Sequence, residues 1–235
     1  MDIRPENPEV AVEDVSVVLV GDFNPKIFHP MWLAHQGLVR QVEAEGARVE
    51  IVHQDVSAFA FDWLSIQILR DRFTATIKAD AYLPHLYDLV LGVFQRLEHT
   101  PVRQLGINVV FRVIFKSEAD WHGFGHFITP KTPWKNVLEK PGLRGVHMQG
   151  MRSDGRLGYV LVSVEADLTK RGEVLVRIND HYEGPRNGEQ EGHSGAKWAT
   201  EILAENFNSS YKRAETIQRN LLNNFLSATQ VDDGN

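Results

Sequence analysis

The spacing of apolar positions changes period several times along the chain, and each change marks an element. Val15-Ser16-Val17-Val18-Leu19-Val20 is a β-branched run of strand length closed by Gly21-Asp22. Phe28 to Val39 is mixed in character and predicts a short helix from Pro30, because proline is tolerated in a first helical turn. From Arg48 the period falls to two. Val49 and Ile51, Phe59 and Phe61, then Leu64, Ile66 and Ile68 alternate with polar or small residues, as do Phe73, Ala75 and Ile77 after Asp71-Arg72. Alternation on both sides of a short polar turn predicts a hairpin with one wet face. Asp80 is a suitable N-cap, and Leu86, Leu89, Val90, Val93, Phe94 and Leu97 then recur at helical spacing until His99-Thr100-Pro101.

A second series follows in the same order. Ile107 to Phe115 predicts a strand, and Ser117 with Asp120 opens a short helix through Ile128, stopped by Pro130 and Pro133. Val146–Met151 and Leu157–Val164 flank Asp154-Gly155, a hairpin turn signal, and Glu173–Tyr182 supplies a third strand. Glu183–His193 is polar, glycine-rich and aperiodic, which predicts a loop. Ser194 then caps a helix reaching Leu226, about 33 residues or roughly 50 Å long. The predicted fold class is therefore α+β: two pseudo-repeated halves, each strand, short helix, three mainly antiparallel strands and helix, sharing a sheet covered by the two longer helices. The expected boundaries are a flexible lead-in over 1–14, a first half over 15–101, a second over 102–227 and a tail over 228–235.

Composition narrows the chemistry more than it directs it. The chain has 235 residues, a formal net charge of −6 and no Lys/Arg run, so no nucleic-acid partner is expected. Cysteine is absent, which excludes disulfides, thiolate metal sites and cysteine nucleophiles. The N-terminal residues lack the basic and apolar blocks of a signal peptide, and no apolar run is long enough to span a bilayer, so no membrane partner and a cytoplasmic location are expected.

No catalytic or cofactor motif is present. Gly21-Asp22-Phe23-Asn24-Pro25 follows a strand but has neither dinucleotide-binding nor P-loop spacing. Asp180 and His181 end a strand, but neighbours in a strand point to opposite faces and cannot easily serve one substrate atom. His122 and His126, four apart on the second short helix, could share a metal ion with Asp120, and would project roughly opposite Trp121, Phe124 and Ile128. On the last helix Leu203, Phe207, Ser210, Ala214, Ile217, Leu221 and Asn224 fall at steps of four and three, as in a coiled-coil seam. The expected function is a non-enzymatic binding or assembly protein without cofactor. It would self-associate or dock to a protein partner through Leu203, Phe207, Ala214, Ile217 and Leu221. Two alternatives are a metal-assisted hydrolase at His122 and His126, and a small-ligand binder with Glu183–His193 as its lid.

Overall fold

The computed structural model describes residues 6–185 and 195–231. Within them the fold is mixed α/β: five α-helices and one nine-stranded antiparallel sheet. In chain order the strands are β1 (Glu9–Gly21), β2 (Arg48–Val52), β3 (Val56–Ala60), β4 (Ser65–Leu69), β5 (Arg72–Ile77), β6 (Val102–Ile114), β7 (Gly145–Met151), β8 (Gly158–Ala166) and β9 (Glu173–Glu183). The helices are α1 (Pro30–His35), α2 (Gln41–Glu45), α3 (Leu83–Arg96), α4 (Glu118–Ile128) and α5 (Ala196–Val231). Strand order across the sheet is β2-β3-β4-β5-β1-β6-β9-β8-β7, so the first strands of the two halves pair with each other at the centre.

Period-two patterning sorts this sheet into two faces. One cross-strand row runs Ile66, Ala75, Val17, Ile107, Asp180, Val160. The adjacent row on the opposite face runs Ser65, Thr76, Ser16, Asn108, Asn179, Leu161, Gln149. The first face holds the core: Val15, Val17 and Leu19 of β1, Leu105, Ile107 and Val109 of β6, and Val174, Val176 and Ile178 of β9 are buried together. Leu86, Leu89, Val90, Val93 and Phe94 of α3 join that cluster. Phe94 lies edge-on to Phe73 at 5.0 Å and also meets Phe23 and Phe28, a contact geometry that aromatic quadrupoles favour.

Several elements differ from the pattern-based expectation. β1 starts at Glu9, inside the segment read as a flexible lead-in, because the long β6 offers a partner as far as Ile114. A register shift between Val12 and Asp14 lets Glu13 reach Arg112 at 2.8 Å. The first half carries four strands after its short helices, where three are expected, and α2 is an additional helix. Asp80 lies in a short 3-10 turn, and α3 begins at Leu83 with Tyr82 at its N-cap. By contrast Pro30 opens α1, and Ser117 caps α4 by accepting the Asp120 backbone N–H at 3.0 Å, both as expected. The predicted cap Ser194 and the greater part of the predicted loop lie outside the described residues.

Gly158, at the start of β8, cannot be replaced without strain. Its φ is +131°, and a Cβ there would sit 2.0 Å from the His181 carbonyl oxygen. Phe94→Ala should lower unfolding free energy by about 3–5 kcal/mol, the usual cost of deleting a buried phenyl ring. Denaturant unfolding followed by circular dichroism measures it, and a change below about 1 kcal/mol would mean that α3 does not anchor on Phe73.

Candidate functional site

The residues singled out in the sequence are placed as follows. On α5, Leu203, Phe207 and Ala214 are 1%, 3% and 1% exposed, and Ile217 and Leu221 pack partly buried against the same core. Phe207 meets Tyr87 of α3 at 5.5 Å. The seam residues Leu203, Phe207 and Ala214 are thus turned into the chain's own core, with Ile217 and Leu221 at its margin. A heptad-like stripe and a stripe that packs on a sheet need the same apolar spacing. Docking a partner there would require uncovering residues already removed from water.

On α4, His122 and His126 are exposed, and each is engaged locally. His122 Nε2 lies 3.3 Å from a Glu118 carboxylate oxygen, and His126 Nδ1 donates to the His122 carbonyl oxygen at 2.7 Å. The His122 ring also lies 4.9 Å from that of Trp121, closer than a wheel placing them on opposite sides implies, because a broad indole reaches around the helix. Among the described residues no three His, Asp or Glu side chains gather to hold a metal ion, so Asp120 does not complete a set with the two histidines. Asp180 and His181 diverge as the strand geometry requires. His181 stacks on Tyr159 at 4.4 Å, and burial pushes its imidazole below the usual range. Asp180 faces α5.

Around Asp180 the structure assembles a charged cluster that spacing along the chain does not reveal. Arg152, just after β7, pairs with Asp180 and with Asp154, and both Arg152 and Asp180 side chains are 1% exposed. Arg213 of α5 pairs with Asp180 and reaches Asp154 at 3.4 Å. The Arg152 guanidinium lies 3.7 Å above the Tyr182 ring, whose hydroxyl is 2.9 Å from Ser210 Oγ. Two arginines and two aspartates balance in charge, and every partner comes from β9, α5 or the β7–β8 connection. The cluster ties the outer hairpin to the rest of the fold.

What it positions is the outer edge strand. β7 has the sequence Gly-Val-His-Met-Gln-Gly-Met, with no charge, no proline and no register shift against β8. Met148 is 67% exposed and Met151 95%. Trp134, Val137 and Leu138, in the segment leading to β7, are exposed as well. A shallow pocket of about 210 Å³ lined by Trp134, Leu138, Leu143 and Gly145 adjoins the start of the strand. The Ala166 N–H donates to the Arg144 carbonyl at 3.3 Å, so even-numbered backbone groups of β7 face β8. By alternation those of Gly145, His147, Gln149 and Met151 face outward. The opposite edge, β2, also exposes Val49, Ile51 and Val52, but it is only five residues long. It carries the Arg48–Glu50 ion pair and breaks register between Val49 and Ile51. Charges and bulges are how edge strands are kept from pairing. Among the described residues, one edge is blunted and the other is open.

Compared with known proteins, the chain matches no protein-family model and no curated protein. Among the described residues no helix is long and apolar enough to cross a membrane.

Two tests address the charged cluster. Asp180→Ala leaves two guanidinium groups without their shared carboxylate and should destabilise the fold by about 3–5 kcal/mol. An effect under about 1 kcal/mol in urea unfolding would show the cluster to be dispensable. The Asp154 carboxyl is held down to about 2, chiefly by its hydrogen bond with Arg152. A carboxyl depressed in the folded state stabilises above its unfolded value and loses that contribution as pH falls through the folded one. The urea midpoint should therefore fall between about pH 4 and pH 2, and less steeply in Asp154→Asn. Equal slopes in the two proteins would remove Asp154 from the account.

Proposed function

We propose that this chain is a non-enzymatic binding or assembly protein that pairs with a second copy of itself through β7. The observation that carries the reading is the open β7 edge: seven regular, uncharged residues, six of them exposed, beside exposed apolar side chains, where the other sheet edge is bulged and charged. Antiparallel pairing centred on Met148 is self-complementary. It sets Met148 opposite Met148, His147 opposite Gln149, Val146 opposite Gly150 and Gly145 opposite Met151. The pairs at 147/149 and 145/151 use outward-facing backbone groups on both strands, as a hydrogen-bonded ladder requires. The one repeated positive position in this register, Arg144 opposite Arg152, is mild, since Arg152 is already neutralised by Asp154 and Asp180. Such pairing would join two nine-stranded sheets into one.

The same reading accommodates a duplicated origin. Outward from the central β1–β6 pair, β5 and β9 come next, followed by β4 and β8, then β3 and β7. We infer that the halves descend from one strand–helix–strands–helix unit. On that reading β2 is an added strand that closes the first half's edge, while β7 remains open.

Light scattering after size-exclusion chromatography tests the pairing. The wild-type chain should show twice 26.7 kDa. Gln149→Pro removes an outward N–H but no bond to β8, and should give a single-chain mass with unfolding unchanged. Met148→Lys opposes like charges at the centre and should shift the equilibrium the same way. A wild-type mass of one chain at every concentration, or a dimer indifferent to Gln149→Pro, would sink the proposal.

A further inference from the structure

A second surface, away from the β7 edge, has the chemistry of a ligand site. Between α4, the segment after it and the facing ends of β8 and β9 lies a cleft of about 440 Å³, within the size range of small-molecule sites. Trp121, Phe124, Leu143 and Val174 make its walls apolar, and its polar groups are His122, His126, Lys131 and Lys140. None of its lining residues is acidic, although the chain as a whole carries a net charge of −6. Of the neighbouring carboxylates, Glu118 is paired with Arg171 and also lies against the lining residue His122, Asp167, next to the lining residue Ala166, is paired with Arg112, and Asp120 and Glu139 adjoin the lining residues Trp121 and Lys140. Among the described residues neither Lys131 nor Lys140 has an ion-pair partner.

Two backbone features point the same way. Gly125 also lines the cleft, although a glycine inside a helix costs about 0.8–1 kcal/mol relative to alanine. A Cβ there would meet only the Leu143 Cβ, at 3.7 Å, an ordinary contact. In α3, by contrast, a Cβ at Gly92 would lie 2.5 Å from Leu38 Cδ2, so the Leu38 side chain would have to shift. What a larger residue at 125 would take up is the space of the cleft itself. Lys140 holds a φ of +50°, a left-handed conformation disfavoured for side chains of its kind. That position lies on the rim of the cleft.

We propose that this cleft binds a small organic anion: a flat apolar ring seated against Trp121 and Phe124, carrying a phosphate or carboxylate met by Lys131, Lys140 and the two imidazoles. The ring supplies buried contact and the cationic groups supply orientation and selection by charge.

Fluorescence titration with anilinonaphthalene sulfonate, a flat ring system bearing an anionic group, tests this. The wild-type chain should bind one equivalent. Lys131→Gln with Lys140→Asn should weaken binding by about tenfold or more, roughly the effect of losing one charged contact. The same double variant should bind the neutral phenylnaphthylamine as the wild type does. Gly125→Leu fills the space while raising helix propensity, and should abolish binding of both dyes. Displacement by adenosine monophosphate or by indoleacetate supports the site and tells which anion it takes; displacement by neither overturns it. Unchanged sulfonate binding in Gly125→Leu, or in the lysine double variant, also overturns it. Should Gly125→Leu fail to fold, the lysine variant, altered only at the cleft rim, carries the test alone.

Discussion

The antiparallel pairing of β1 with β6 is the contact on which the rest of this structure rests. Both strands are thirteen residues long, and they pair from Glu9 opposite Ile114 to Gly21 opposite Val102. Each is the first strand of its half, so this ladder is where the two halves become one sheet. Each also carries the final strand of its own half on its other side, β5 on β1 and β9 on β6. A central pair buried on one face sets the register of everything outward, because a one-residue slip would exchange the apolar and polar rows. Val17 is matched on both sides by apolar partners, Ala75 and Ile107, while Ser16 is matched by Thr76 and Asn108. The alternation is therefore enforced across the sheet and not only along each strand.

Toward the outer end of the second half, charge takes over part of the work that apolar packing does at the centre. The inward row that begins with Ile66 and Val17 reaches Asp180 on β9, and there the core becomes ionic. Burying a charge is costly unless it is paired and hydrogen-bonded, and Asp180 has two arginines and the Tyr182 hydroxyl around it. Such a cluster is directional where apolar contact is not. It fixes the β7–β8 connection against α5.

The second half is also where the two halves differ most. α3 is fourteen residues long and α5 thirty-six, and β2 has no counterpart beyond β7. The cleft lined by Lys131 and Lys140 belongs to the same half, formed against α4 by the segment that follows it.

Much of this was legible in the residues themselves. Val15–Val20, the alternating runs around Asp71-Arg72, the stripe from Leu86 to Leu97 and the Ser117 cap each carry a local signal, because periodicity and capping depend on neighbours within one turn or one strand. The start of β1 was not legible: Glu9, Glu13 and Asp14 look solvated until β6 and Arg112 are placed beside them. The α5 stripe was legible as an apolar face, but the spacing of Leu203, Phe207 and Ala214 does not say whether a second chain or this chain's own sheet covers it. Nor does Gly145–Met151 say which of its edges has a neighbour, or Arg152 that it will meet Asp180. Those outcomes depend on strand order and on contacts between distant segments, and no short-range pattern encodes them. The sequence by itself determined the elements and their apolar faces; the tertiary structure alone decided which faces were used up internally and which edge and cleft remained, since exposure is a property of the packed whole.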